Sequence, residues 1–315
     1  EILLSKSIVL SKPQNNLSWT MPNLNYQNFL GNLYLSGINN IFLKKKIGKD
    51  KFSIYQNITP LLVFKSNIIF SDDTGTIFSI NERGRVIWKK NIYKKSYKKI
   101  YKNLVFSIYE GNIYIADNIG FVYSINLKNG KLLWIRSYEV PIKSNIKVFN
   151  NKIFLINQDN KIFCLNTEDG SLVWNILSIS SFIKSQGLLS LAVTKFGDLI
   201  AITSAADIYR IRANTGDIFW SRNTADSLNI DATDFFNSSE IVIDDDNIIF
   251  SSGYSTFSLS LDSGATNWKQ EISSISAPII IGENIFIVSD SGYFAILDKN
   301  TGEIISSSNI LKILK

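Results

Sequence analysis

Ser124–Trp134 reads SINLKNGKLLW, and Cys164–Trp174 reads CLNTEDGSLVW. The same frame returns in RIRANTGDIFW (Arg210–Trp220) and, without its Trp, in ILDKNTGEIIS (Ile296–Ser306). Gly-x-x-x-Trp occurs five times in all, as Gly84/Trp88, Gly130/Trp134, Gly170/Trp174, Gly216/Trp220 and Gly264/Trp268; a sixth copy, Gly302/Ser306, has lost the indole. With 17 glycines in 315 residues, a given Trp would meet such a Gly by chance about one time in twenty, so the spacing marks an internal repeat.

Working outward, six stretches align without gaps from Asn67, Asn112, Lys152, Asp198, Asn247 and Asn284, and each reaches its Gly 17 or 18 residues later. Each unit reads strand, turn, strand, Gly turn and a Trp-bearing strand, because short β-branched and aromatic runs alternate with Asp, Asn, Ser and Gly clusters. A weaker apolar strand precedes each unit: Leu61–Phe64, Leu104–Ile108, Ile146–Phe149, Ser190–Val193, Ile241–Ile243 and Pro278–Ile281. Four short strands in roughly 40 to 50 residues is the period of a propeller blade, whereas helical solenoids need a 3.6-residue pattern that is missing here. Gly takes the positive φ of the hairpin without a Cβ clash. The Trp, on the outermost strand, has an indole burying about 150–250 Å² that can wedge against the next blade. The glycines and tryptophans above, with Gly302, are therefore the expected blade-docking residues.

The fold class expected is an all-β propeller of four-stranded antiparallel blades, seven to eight in number. Six repeats are clear; strand-like material at Asn32–Phe42 and Ile310–Leu314 supplies the partial ones. Residues 1–30 are set aside as an amino-terminal arm and 31–315 as the propeller. Unpaired first and last blades would expose sheet edges, so closure calls for an amino-terminal strand completing a carboxy-terminal blade. Hydrophobic residues make up 45% of the chain, enough for a large core, and no apolar run approaches the about 18 residues of a membrane span.

Composition excludes much chemistry. There is no His, so Ser-His-Asp catalysis, His-ligated metals and a histidine switch are ruled out. The single Cys, Cys164 in the strand KIFCLN, makes no disulfide and reads as a small buried hydrophobe. The acidic run Asp244–Asp246 falls at a hairpin turn and lacks the alternating oxygen ligands of a calcium loop. No catalytic, cofactor-binding or metal-binding residue is expected. The net charge of +6 is concentrated in LKKKIGKDK (Leu43–Lys51) and in WKKNIYKKSYKKIYK (Trp88–Lys102). The second run reads as a solvated connection between blades, with an anionic partner surface as the alternative and no nucleic acid expected.

The repeats resemble the docking motif of pyrroloquinoline-quinone-type propellers, Ala-x-Asp-x-x-Thr-Gly-x-x-x-Trp. Asn126, Asn166 and Asp298 stand at the Asp position, Arg212 departs from it, and the Gly84 and Gly264 units are shorter by one or two residues. Within that group the quinone- and calcium-dependent dehydrogenases are much longer and often carry a Cys-Cys disulfide that this chain lacks. The chain is more similar to the BamB branch, particularly its alphaproteobacterial members, in its Trp-containing opening NNLSWTMPNLNYQNFLGNL (Asn15–Leu33) and its Ile-Gly-Lys turn in KKKIGKDK. The resemblance implies a non-catalytic, monomeric, periplasmic scaffold that binds the outer-membrane barrel-assembly subunit. It also implies a lipid anchor upstream of Glu1, because the one Cys is internal, and membrane association only through that anchor. Partner contact is expected at the loop Ser178–Ser190, through Phe182, Ile183, Lys184 and Gln186, since propeller strands are scaffold and this loop is the one most unlike its counterparts; the alternative is that Phe182 and Ile183 simply begin an ordinary inner strand. The alternatives are a quinone-dependent or other ligand-binding propeller and a cytoplasmic interaction propeller.

Overall fold

A computed structural model describes residues 2–3, 8–35, 41–52, 61–178, 185, 187–225 and 236–313. These residues form six antiparallel sheets, each a meander of four consecutive strands. Blade 1 comprises Leu62–Phe64, Asn67–Ser71, Ile77–Asn81 and Val86–Lys90. Blade 2 comprises Leu104–Tyr109, Asn112–Asp117, Phe121–Asn126 and Leu132–Ser137. Blade 3 runs from Lys147–Phe149 to Leu172–Leu177, blade 4 from Leu191–Val193 to Ile218–Asn223, blade 5 from Val242–Asp244 to Thr266–Gln270, and blade 6 from Ile279–Ile281 to Ile304–Asn309.

The repeat is faithful to the level of single residues. Every outer hairpin carries a register shift two to four residues before its turn, as at Ser124/Ile125, Cys164/Leu165 and Arg210/Ile211. Asn126 closes its turn by accepting the Lys128 N–H at 3.1 Å, and Asp298 does the same for Asn300 at 2.9 Å. Five of the six inner hairpins turn in two residues, with Glu110, Asn150, Asn151 and Asp245 at positive φ, the backbone that matches strand twist; in blade 4 Val193 pairs with Leu199 across a longer turn. Thus Asp244 ends a strand and Asp245 makes a turn, so the acidic run is hairpin backbone.

Second and third strands are mostly buried, least so in blades 1 and 6, and the core is a chain of clusters, each crossing a blade boundary. One joins blades 1 and 2 through Leu62, Phe106 and Tyr123; another joins blades 2 and 3 through Val105 and Phe163; a large one runs over blades 3 to 5; the last joins blades 5 and 6 through Trp268 and Leu297. Each fully buried Ile or Phe contributes about 1.5–3 kcal/mol.

The all-β propeller architecture follows the repeats, and among the described residues the sheets number six, those of the clear repeats. Two details differ from the sequence reading. Ile310–Ile313 is a short helix, not a strand: Asn309 accepts N–H bonds from Leu311 and Lys312 at 3.0 and 3.2 Å and starts a helical turn. An amino-terminal strand, Ile2–Leu3, does pair with the last blade, but as a fifth strand beside a complete sheet, with Leu3 opposite Ser306. Among the described residues no helix is long and apolar enough to cross a membrane.

Candidate functional site

The blade boundaries share one geometry. Trp88 donates its indole N–H to Leu127 O at 2.9 Å, Trp134 to Thr167 O at 2.9 Å, Trp174 to Ala213 O at 2.8 Å, Trp220 to Leu261 O at 3.0 Å and Trp268 to Lys299 O at 2.8 Å. Each acceptor lies three residues before the next blade's Gly. The ring covers that Gly so closely that a Cβ there would stand 2.5 to 3.0 Å from it, from Gly130 to Gly302. Gly84 has no preceding Trp, and Leu43 and Lys45 cover it instead, with Lys45 Nζ donating to Gly84 O at 2.9 Å.

The propeller axis is occupied by the chain's own residues 19–28. Trp19 exchanges backbone hydrogen bonds with Val63 of blade 1, Thr20 O accepts from Ile108 of blade 2, Tyr26 O from Val193 of blade 4, and Gln27 O from Ile243 of blade 5. Blade 3 contributes Lys147, wholly buried, whose Nζ donates to Pro22 O and Asn25 O at 2.9 Å and to Asn28 Oδ1 at 2.5 Å. Asn28, also fully buried, donates to Leu191 O at 2.9 Å and Ile241 O at 2.7 Å. Burial pushes Lys147 down to about 8, against a smaller upward pull from Glu240. Glu240 keeps partial exposure, yet its carboxylate is held by Asn145 Nδ2 and by Ser190 Oγ at 2.6 Å, and desolvation raises its pKa. Sequence reasoning missed this network. Asn28 and Lys147 are ordinary residue types, and their burial comes from contacts more than a hundred residues away along the chain.

The connection Trp88–Lys102 is more than a solvated link. Its lysines 94, 95, 98 and 99 are exposed, but Tyr93 and Tyr97 turn inward against Phe121 at centroid distances of 6.4 and 5.6 Å. The Tyr93 hydroxyl donates to Asp117 Oδ2 at 2.5 Å, and Lys102, 1% exposed, donates Nζ to Tyr97 O. Desolvation holds the Tyr93 and Tyr123 phenols well above their ordinary range and raises Asp117, whose pKa the Tyr93 bond pulls back down.

Of the loop Ser178–Ser190, Phe182, Ile183, Lys184 and Gln186 lie outside the described residues. Its flanks are placed: Ser178 and Leu189 are buried where blade 3 passes into blade 4, and Ser185 bridges in parallel to Phe236. Cys164 is fully buried, and burial pushes its thiol up to about 12, which leaves it protonated and inert. Asp244 is engaged by Lys299 at 3.0 Å, and among the described residues no group of three or more His, Cys, Asp or Glu side chains gathers around a metal-sized site.

A quinone–calcium pair does not fit these residues. Residues 19–28 are bonded along the blades' first strands, and among the described residues the cleft of about 520 Å³ between blades 5 and 6 is lined by serines and by Tyr254, Tyr293, Glu271, Ile272, Ala295 and Ile304, with no cation to meet a quinone's carboxylates.

Six sheets of this meander, joined by Trp over Gly, define a pyrroloquinoline-quinone-like repeat propeller. The family model described as outer membrane protein assembly factor BamB matches residues 58–308, and the chain belongs to that family. It is 21% identical over 237 residues to the outer membrane protein assembly factor BamB of Moranella endobia, covering 67% of this chain and 58% of that protein. Thus the chain spans somewhat over half the length of that relative. The crystal structure of BamB from Moraxella catarrhalis superposes with a TM-score of 0.69 at 13% identity, covering 81% of this chain and 76% of that one, which shows a shared fold. The quinoprotein ethanol dehydrogenase of Pseudomonas putida is 25% identical over 123 residues, 36% of this chain and 18% of the enzyme.

Proposed function

We propose that this protein is a non-catalytic periplasmic scaffold in outer-membrane β-barrel assembly, associated with the outer membrane and binding the barrel-assembly subunit through its propeller loops. The match of residues 58–308 to the BamB family carries the reading. The chemistry agrees with it: the chain has no His, its one thiol is buried and protonated, and its axis is closed by residues 19–28. A filled axis leaves the connecting loops as the surfaces that meet partners. The test is capture of the subunit's purified periplasmic region by the immobilised propeller. Saturable capture at micromolar concentration supports the function; no capture by a protein with a cooperative melt overturns it and leaves the fold standing.

A further inference from the structure

Two lysine-rich segments, distant in sequence, lie side by side on blade 1. Residues 41–52 are tied to the blade through Asp72 and Asp73: Asp72 Oδ2 accepts the Lys49 N–H at 3.1 Å, and Asp73 Oδ2 accepts those of Lys51 and Phe52 at 2.5 Å. Lys51 Nζ then reaches Lys98 O at 2.9 Å, and Phe52 meets Tyr101 edge-on at 6.2 Å. The join brings five exposed lysines of 44–51 beside seven exposed lysines and arginines of 83–99, against the two exposed carboxylates of Asp50 and Glu82. That local excess is larger than the net +6 of the whole chain, so the remainder of the molecule is net negative. The field is concentrated on one face.

Beside the lysines stand large apolar side chains in solvent: Ile41 is 78% exposed, Phe42 73% and Ile100 44%. Cations interleaved with exposed apolar side chains suit an interface that is anionic at its surface and oily beneath. A single-stranded nucleic acid would instead require aromatic faces for its bases, and the tyrosines of this connection are engaged elsewhere. Tyr93 and Tyr97 pack into the boundary between blades 1 and 2, and Tyr101 packs on Phe52.

We propose that this face of blade 1 docks on the surface of an anionic bilayer, its lysines against phospholipid headgroups and Ile41 and Phe42 at the headgroup–acyl boundary. The proposal is independent of the capture reaction above, since it needs no protein partner. The test is co-sedimentation of the purified chain with vesicles of phosphatidylcholine alone and with roughly one third phosphatidylglycerol. The expected result is at least about tenfold tighter partition onto the anionic vesicles, weakening as salt screens the lysines. Reversing Lys44, Lys46, Lys94 and Lys98 to Glu together removes that preference with an unchanged melting curve. Phe42→Ser weakens partition without changing its salt dependence. Should the fourfold variant melt differently, the single Lys98→Glu change is read instead, with a loss of about threefold expected. Equal partition onto both vesicle types, or full retention by the reversed variants, overturns the proposal. A single-stranded oligonucleotide bound more tightly than the anionic vesicles overturns it too, in favour of a nucleic-acid surface.

Discussion

Gly170 and the Trp134 ring are in such close contact that a Cβ on Gly170 would lie 2.5 Å from the indole, and Gly170 holds φ at +70°. Both the turn and the blade boundary therefore require the same missing side chain. Gly170→Ala is expected to cost about 2–4 kcal/mol, combining left-handed strain with overpacking. Gly111 gives the control: its φ is +75°, but nothing stands within 4 Å of a Cβ there, so Gly111→Ala should show the backbone cost alone, about 1 kcal/mol. Equal losses in urea melts would remove the packing argument.

The indoles grade this prediction. Trp88 and Trp174 are 9% exposed and Trp268 is 7% exposed, whereas Trp134 and Trp220 are only partly buried. Truncation to Ala is expected to cost about 3–5 kcal/mol at the first three. At the other two, where less area leaves water, about 2–3 kcal/mol is expected. Melts of all five variants within about 0.5 kcal/mol of the parent, as at ordinary surface sites, would show that the indoles do not hold blades together.

The fold was legible because Gly-x-x-x-Trp encodes a local turn and a nonlocal contact in one short string. Asn126 and Asp298 close their turns with bonds to residues two positions on, which a sequence displays directly. The ends of the repeat were harder to read. Leu43 and Lys45 stand in for the Trp that blade 1 lacks at Gly84, and nothing in KKKIGKDK repeats to announce it. The axis was hidden for the same reason: Asn28 is bonded to residues 163 and 213 positions away, and a buried Lys147 between two apolar neighbours looks like any strand lysine. The expected contact residues Phe182, Ile183, Lys184 and Gln186 lie outside the described residues, so the partner loop rests on its being the one most unlike its counterparts in the repeats.

Lys147 makes the axis pH-dependent. Below about 8 its amine is protonated in folded and unfolded chains alike and adds no slope. Between about 8 and the ordinary 10.5 the unfolded chain binds the proton that the fold has released, so stability rises with pH. Glu240 acts on the acid side in the opposite direction: its raised pKa favours the fold below the ordinary 4.5, and that gain is lost as pH rises through the folded value. Beyond 10.0 Tyr93 and Tyr123 keep protons that the unfolded chain loses, and stability falls. Above pH 9 Cys164, held protonated up to about 12 in the fold, opposes the Lys147 slope, so urea melts should climb from pH 8 to 9, level off, and decline beyond 10. Lys147→Met should abolish the climb, and near neutral pH it should cost about 3–5 kcal/mol, because it leaves Glu240 and the carbonyls of residues 22 and 25 without their cation. A parent profile flat between pH 8 and 9 would show that the amine is not desolvated as the structure places it.

Calorimetric titration is expected to give no micromolar constant for pyrroloquinoline quinone or for calcium. The cleft between blades 5 and 6 lacks cations, and Asp244 is engaged by Lys299. A micromolar or tighter constant for either would promote the dehydrogenase alternative over the scaffold.

The loop between blades 3 and 4 is where the proposed scaffold function can be tested at single residues. Ser178 and Leu189, near its two ends, are buried. Phe182→Asp with Lys184→Glu places one charge in an apolar contact and reverses another beside it, and each costs binding energy at a desolvated interface. Capture of the barrel-assembly subunit's periplasmic region should weaken at least about tenfold, the effect of losing a single hot-spot contact, while the melting curve stays that of the parent. Unchanged capture by a folded double variant would remove this loop from the interface. If the parent captures and the variant does not, the loop carries the contact. If both capture equally well, the contact must be sought on other loops, beginning with Tyr254 and Tyr293, which stand exposed at the mouth of the cleft between blades 5 and 6.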